Sequence, residues 1–189
     1  MTYQYRTLNS LKDNTIFPLD AKNISCFYCN NVNVIPDLPP LLEEFSCHWS
    51  KVTKLPILPN NLIKLDCSIN LYLAELPELP ESLIVIICNN CSITELPILP
   101  IRLKKLYCHT NNINELPELP ISLKTFFCNT NNIKYLTPHN CEIIKNIGLM
   151  DFSILRNPIS DGFDCNRKFK KSIEKTNWII IWNLIIIWN

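Results

Sequence analysis

"YCHTNNINELPELPISLKTFFCNTNNIKYL", residues 107–136, runs through Cys, Asn, Ile, Leu-Pro, Leu-Pro and Leu and then starts the same phrase again. Working outward, Leu-Pro or Ile-Pro pairs begin at Ile35, Leu55, Leu76, Leu96 and Leu116, and cysteines stand at Cys47, Cys67, Cys88, Cys108 and Cys128. Both series step by 20, 21, 20 and 20 residues, so two independent markers share one period. Each unit reads L-P-x-L-P-x-x-L-x-x-L-x-C-x-x-N-x-I-x-x, and a fixed short period is the mark of stacked supersecondary units. A poorer first copy is expected to use Ile24, Phe27 and Cys29, and a worn seventh Ile144, Ile147 and Leu149.

Local chemistry assigns the parts of the unit. Phe126 and Cys128 are two residues apart and share one face of a strand, leaving Thr125 and Phe127 on the other. The two prolines can neither donate to a ladder nor sit inside a helix, so each L-P-x-L-P segment is expected to be an extended, polyproline-like return.

The unit resembles the leucine-rich repeat, L-x-x-L-x-L-x-x-N/C-x-L, and its L-P-x-L-P opening is most similar to the short class found in secreted bacterial effectors. The resemblance implies a right-handed leucine-rich repeat solenoid, β-rich, with a parallel sheet on the concave face, extended convex segments and no long helices in the repeats. The expected layout is an N-terminal cap over residues 1–16, a solenoid of six to seven repeats over 17–150, and a C-terminal cap or tail over 151–189. It also implies a turn ladder of buried side chains at Asn70, Cys91, Asn111 and Asn131 that bond backbone groups after each strand, a pattern from which Ser50 and Val32 depart. Heavy Ile, Asn and Lys usage with little Gly suggests an AT-rich genome, such as that of an amoeba or one of its large DNA viruses.

Composition removes several function classes. The 189 residues carry 18 basic and 17 acidic side chains, a net charge of +1, so nothing global draws the chain to nucleic acid. Two glycines against 14 prolines exclude Gly-rich phosphate loops and dinucleotide fingerprints, and no cofactor is expected. The N-terminus lacks a basic start followed by an apolar core, so no secretory signal is expected and the ten cysteines should be reduced in a cytoplasmic compartment, the host cytosol for a viral or effector protein.

The column Cys29, Cys47, Cys67, Cys88, Cys108 and Cys128 points inward, where a small apolar thiol suits a narrow interior. Reduced core thiols are the leading reading; disulfides between neighbouring strands and zinc bound by Cys26-x-x-Cys29 and Cys88-x-x-Cys91 are the others. The two half-sites lie three copies, or about 15 Å, apart, too far to share one ion. His48, His109 and His139 are the only histidines, and the first two sit at equivalent positions three copies apart, so no nucleophile and base pair is expected and the chain reads as a non-enzyme.

Outward strand positions from the first copy to the sixth read Cys26 and Tyr28, Glu44 and Ser46, Lys64 and Asp66, Val85 and Ile87, Lys105 and Tyr107, and Thr125 and Phe127. The last three pairs are markedly apolar. Val85, Ile87, Lys105, Tyr107, His109, Thr125, Phe127 and Asn129 therefore form the candidate partner-binding stripe, because an exposed apolar patch with a polar rim marks an interaction site. The competing reading has the tail or neighbouring loops cover it. Glu75, Glu95 and Glu115 line up on one edge, and Lys104, Lys105 and Lys124 stand before or within the strands; solvated like-charge rows explain them, and a groove with an acidic and a basic edge is the sharper alternative.

The chain ends "NRKFKKSIEKTNWIIIWNLIIIWN". As a helix its last twelve residues reach about 18 Å, short of the roughly 30 Å needed to cross a bilayer. Trp178, Trp182 and Trp188 beside the basic stretch would suit a membrane surface, whereas β-branched Ile would suit an edge strand that caps the solenoid. The functional expectation is a module that binds another protein on its concave face; the alternatives are an effector-type adaptor in a ubiquitin pathway without its own catalytic domain, and a membrane-associated structural protein.

Overall fold

The computed structural model describes residues 2–5, 15–29, 33–147 and 149–159. Within them the chain winds as a solenoid whose eight strands pair in parallel, in chain order, into one sheet. The strands are β1 (Thr2–Tyr5), β2 (Asn23–Cys26), β3 (Glu44–Ser46), β4 (Lys64–Asp66), β5 (Val85–Ile87), β6 (Lys105–Tyr107), β7 (Thr125–Phe127) and β8 (Phe152–Ser153). The sheet thus takes in Thr2–Tyr5 and Phe152–Ser153, on either side of residues 17–150.

Strand alternation builds the core. Ile24, Phe45, Leu65, Ile86, Leu106 and Phe126 stack as one buried column in register, and the cysteines two positions on form a second. Among the described residues the convex side carries no helix before Pro138. Each extended return instead closes with a tight turn in which a proline carbonyl accepts the N–H three residues later: Ala21 to Pro18, Leu42 to Pro39, Leu62 to Pro59, Leu83 to Pro80, Leu103 to Pro100 and Leu123 to Pro120, at 3.0 to 3.2 Å. The prolines lack only the donor, so this bond is still open to them. The residue that donates is buried in every copy.

After each strand from β2 to β8 the backbone turns through a left-handed residue two positions past the cysteine column or, after β8, past Ile154: Tyr28, Trp49, Ile69, Asn90, Thr110, Thr130 and Arg156, all with φ between 54° and 56°. None is glycine, so each carries the steric penalty of that region. The turn swings the next residue inward, where it becomes a rung of the ladder.

Both end copies depart from the expected register. Ile24 pairs with Phe45 and Ser25 with Ser46, which puts Cys26, not Cys29, in the column of Cys47. Cys29 falls three residues later, in the turn-ladder column with Ser50 and Cys91, and Val32 lies outside the described residues. Cys26 is accordingly a core residue and not an outward one, since it is fully buried. The seventh copy is not built on Ile144, Ile147 and Leu149. Helix α1 (Pro138–Lys145) replaces the extended return, started by Pro138 and by Thr137, whose side chain accepts from the Asn140 N–H at 3.1 Å. Ile144 and Ile147 pack in and just after that helix, and the repeat resumes at Phe152, paired with Phe126, and Ile154, 26 residues past Cys128. Asn140 docks the helix: its Oδ1 accepts from Leu119 N–H at 2.8 Å and its Nδ2 donates to the Pro117 carbonyl at 3.0 Å.

Candidate functional site

The turn ladder is built from amides that serve two copies at once. Asn111 Nδ2 donates to the Cys108 carbonyl at 3.0 Å and the Cys88 carbonyl at 2.8 Å, while its Oδ1 accepts from Ile93 N–H at 3.0 Å. Asn70 and Asn131 repeat the pattern, with Val52 and Ile113 as their backbone donors. Asn157 is a fourth amide rung that the periodic reading missed, bonding Cys128, Ile154 and Ile133 in the same way. Its signal in the sequence is Ile154-x-x-Asn157, hidden by the longer interval that holds α1. At Cys91 the thiol donates to the Cys67 carbonyl at 3.3 Å. A thiol cannot replace the amide oxygen, and here it need not. The 21-residue interval between Cys67 and Cys88 adds a residue to the preceding turn, and Leu73 N–H turns back to the Asn70 carbonyl at 3.0 Å. Ser50 fills the same slot by accepting from Cys29 N–H at 3.1 Å.

The nine described cysteines are all buried. Burial pushes Cys47, Cys67, Cys88, Cys108 and Cys128 well above the ordinary thiol value and raises Cys91 and Cys141 to about 11. Thiols held in the protonated form are poor nucleophiles. Among the described residues no group of three or more His, Cys, Asp or Glu could hold a metal ion. Cys165 lies outside them.

On the concave side Ile87, Tyr107 and Phe127 are register neighbours on β5, β6 and β7, all half-buried. Tyr107 and Phe127 stack face to face with centroids 5.6 Å apart and planes within 3°. Val85 is half-buried and Lys105 exposed, while half-buried His109 places Nδ1 3.3 Å from the Thr110 hydroxyl and Asn129 is half-buried in the row beyond. Partial burial lowers the His109 pKa, which keeps its ring neutral at pH 7. Thr125 is a correction to the expected stripe. It is only 6% exposed, its hydroxyl donates to Asp151 at 3.4 Å, and the 3-10 turn Leu149–Asp151 packs against β7.

A second surface lies toward the N-terminal end, where periodicity alone saw nothing. Phe27 stacks on His48 at 5.3 Å and 15°, and in the next column Tyr28 meets the edge of Trp49 at 4.7 Å and 81°. His48 Nδ1 lies 2.7 Å from the Ser46 hydroxyl and 3.8 Å from Asp66 Oδ2, and Asp66 Oδ1 accepts from the Ser68 N–H and hydroxyl at 3.1 and 2.6 Å. This Ser, His and Asp set is not a catalytic triad. A triad divides its partners between the two ring nitrogens, whereas here serine and carboxylate both face Nδ1. The three-residue slip in reading the first copy is what concealed these aromatic pairs. In the correct register Phe27 aligns with His48, and Tyr28 with Trp49.

No protein-family profile matches the chain, and no curated protein does. Among solved structures it is similar to YopM from Yersinia enterocolitica WA-314, with a TM-score of 0.64, 26% identity, and coverage of 83% of this chain and 33% of that one. It is also similar to a Shigella effector LRR domain, with a TM-score of 0.55, 30% identity, and coverage of 61% and 50%. The functional domain of InlJ from Listeria monocytogenes, which includes a cysteine ladder, superposes with a TM-score of 0.65 at 23% identity over 84% of this chain and 35% of that one, a likeness of fold alone. The chain spans 33% to 50% of the length of these structures. Its fold is a leucine-rich repeat solenoid.

Proposed function

We propose that this chain is a protein-binding module with no catalysis of its own, and that it engages its partner on the concave sheet around Ile87, Tyr107 and Phe127. The observation that carries this is the Tyr107–Phe127 stack beside Ile87 on the sheet face away from the core, half-buried within the chain itself. Paired aromatics bring large contact area and few rotatable bonds, so ordering them against a partner costs little entropy. Val85, Lys105, His109 and Asn129 supply the polar and aliphatic margin; Thr125, held by Asp151, supports the sheet rather than the contact. Nine buried cysteines suit a reducing compartment, which favours the cytosol. The tryptophans Trp178, Trp182 and Trp188 lie outside the described residues, and no helix among those described is long and apolar enough to cross a membrane.

A photo-crosslinking residue placed at Ile87 on the concave face, or at exposed Ile98 on the convex side as control, tests the reading in lysate of the native host. A protein cross-linked from position 87 but not 98, and lost with Tyr107→Ala, Phe127→Ala in a variant of unchanged circular dichroism, is the expected result. Cross-links from 98 alone, or retained by the double variant, refute it.

A further inference from the structure

We infer that the partner segment is acidic and carries an aromatic or aliphatic side chain, its carboxylates set against Lys104, Lys105 and Lys124 and its apolar group against the Tyr107–Phe127 stack. This rests on the concave-face reading above and adds the chemical class of the partner.

A backbone-bonded column runs across the copies just ahead of the strands: Lys22, Glu43, Ile63, Ile84, Lys104 and Lys124. At one end Lys22 and Glu43 neutralise each other, Nζ to Oε1, at 2.6 Å. At the other, Lys104 and Lys124 are direct neighbours, joined by a backbone bond of 2.8 Å from Lys124 N–H to the Lys104 carbonyl. Both side chains are exposed, as are those of Lys105 and Arg102. None of the three lysines forms an ion pair with a carboxylate among the described residues. Asp151, beyond Thr125 in the strand row of Lys105, is bonded to the Thr125 hydroxyl.

Ammonium groups on strands about 4.8 Å apart repel each other, and a carboxylate placed among them relieves that repulsion. The whole chain carries only +1, so this is a local charge, read by a ligand that comes close and not by a distant polyanion field. Tyr107 stands two residues beyond Lys105 on the same strand face, about 7 Å away. An extended segment repeats its side chains on one face at that interval, so an acidic residue and an apolar residue two positions on meet the lysines and the aromatic stack together.

The test uses a fluorescein-labelled synthetic peptide of repeated Glu-Ser-Phe-Ser units, which puts glutamate and phenylalanine on one face of an extended segment, read by fluorescence anisotropy against the full chain. Counterparts carry Gln for every Glu, or Ser for every Phe, and a single-stranded DNA oligonucleotide of equal charge serves as a second anion. The expected result is binding of the Glu/Phe peptide, weakened by added salt and about tenfold weaker with the Gln counterpart or with Lys104→Ala, Lys124→Ala. Absent binding, equal binding of Glu and Gln peptides, no loss in the lysine variant, or oligonucleotide binding of equal strength overturns the inference. A Gln/Phe peptide that binds as well as the acidic one yet is lost with Tyr107→Ala, Phe127→Ala leaves the concave-face reading standing and removes only the acidic partner. If cross-links from position 87 fail as well, both readings fall.

Discussion

At the scale of single residues, the buried amides matter more than their number suggests, because each joins two copies. Replacing Asn111 by Leu leaves the Cys88 carbonyl and the Ile93 N–H without their partner in a site only 8% exposed, while the Cys108 carbonyl keeps Asn131. The expected cost is about 1 to 3 kcal/mol, seen as a lower thermal midpoint; an unchanged midpoint refutes the role. The thiols make a second prediction, about alkaline pH. Cys91 titrates at about 11 when folded against an ordinary value of 9.0, mainly because burial disfavours the thiolate. Below pH 9.0 both states hold the proton and stability is unaffected. As pH rises from there toward about 11 the unfolded chain releases protons that the folded chain keeps, so the folded state loses ground. Circular dichroism melts across this window should show a midpoint that falls with rising pH, while iodoacetamide should label the nine described thiols only after denaturant is added. A flat midpoint, or rapid native labelling at any of those nine positions, contradicts the buried column. The amide column was legible because Asn recurs three residues after Cys at three copies. Asn157 was not, since no cysteine precedes it.

At the scale of elements, the turn after β4 shows how one irregular residue is absorbed. The extra residue gives Leu73 N–H a partner in the Asn70 carbonyl, and the neighbouring copy then tolerates Cys91 where an amide would otherwise accept that proton. It also displays Leu71 and Tyr72, both more than 60% exposed. Deleting Tyr72 alone should destabilise the array by about 1 to 3 kcal/mol, because Leu73 N–H is left buried without an acceptor. Combining the deletion with Cys91→Asn should recover much of the loss, giving a coupling of about 1 kcal/mol in a double-mutant cycle. Additive effects would show that turn length and rung identity are independent. Helix α1 is the other irregular element. Its Thr137-Pro138 start is a local signal, but where it packs is set by Asn140 and His139 reaching the backbone of the preceding return, with His139 Nε2 2.8 Å from the Leu119 carbonyl.

At the scale of the whole molecule, each copy touches only its neighbours, so stability is a sum of nearest-neighbour terms. Copies with a neighbour on both sides should hold their amides best. Hydrogen exchange should therefore be slowest at Cys67, Cys88 and Cys108, whose N–H groups bond the next strand at 2.8 to 2.9 Å, and faster toward β1 and β8. Slowest exchange at an end would point to a cap stronger than the repeats. What the sequence by itself determined was everything that repeats: the period, the strand face, the proline returns, the inward thiols and the amide rungs, because in a solenoid one unit's solution serves all copies. The tertiary structure decided what occurs once. The register of the first copy depends on which cysteine meets Cys47 across the sheet, and the place of the last strand depends on how α1 packs. The burial of Thr125 depends on a turn 26 residues away in sequence. The pairing of Phe27 with His48 and Tyr107 with Phe127 depends on neighbouring copies lying side by side, a relation between units that no single unit encodes.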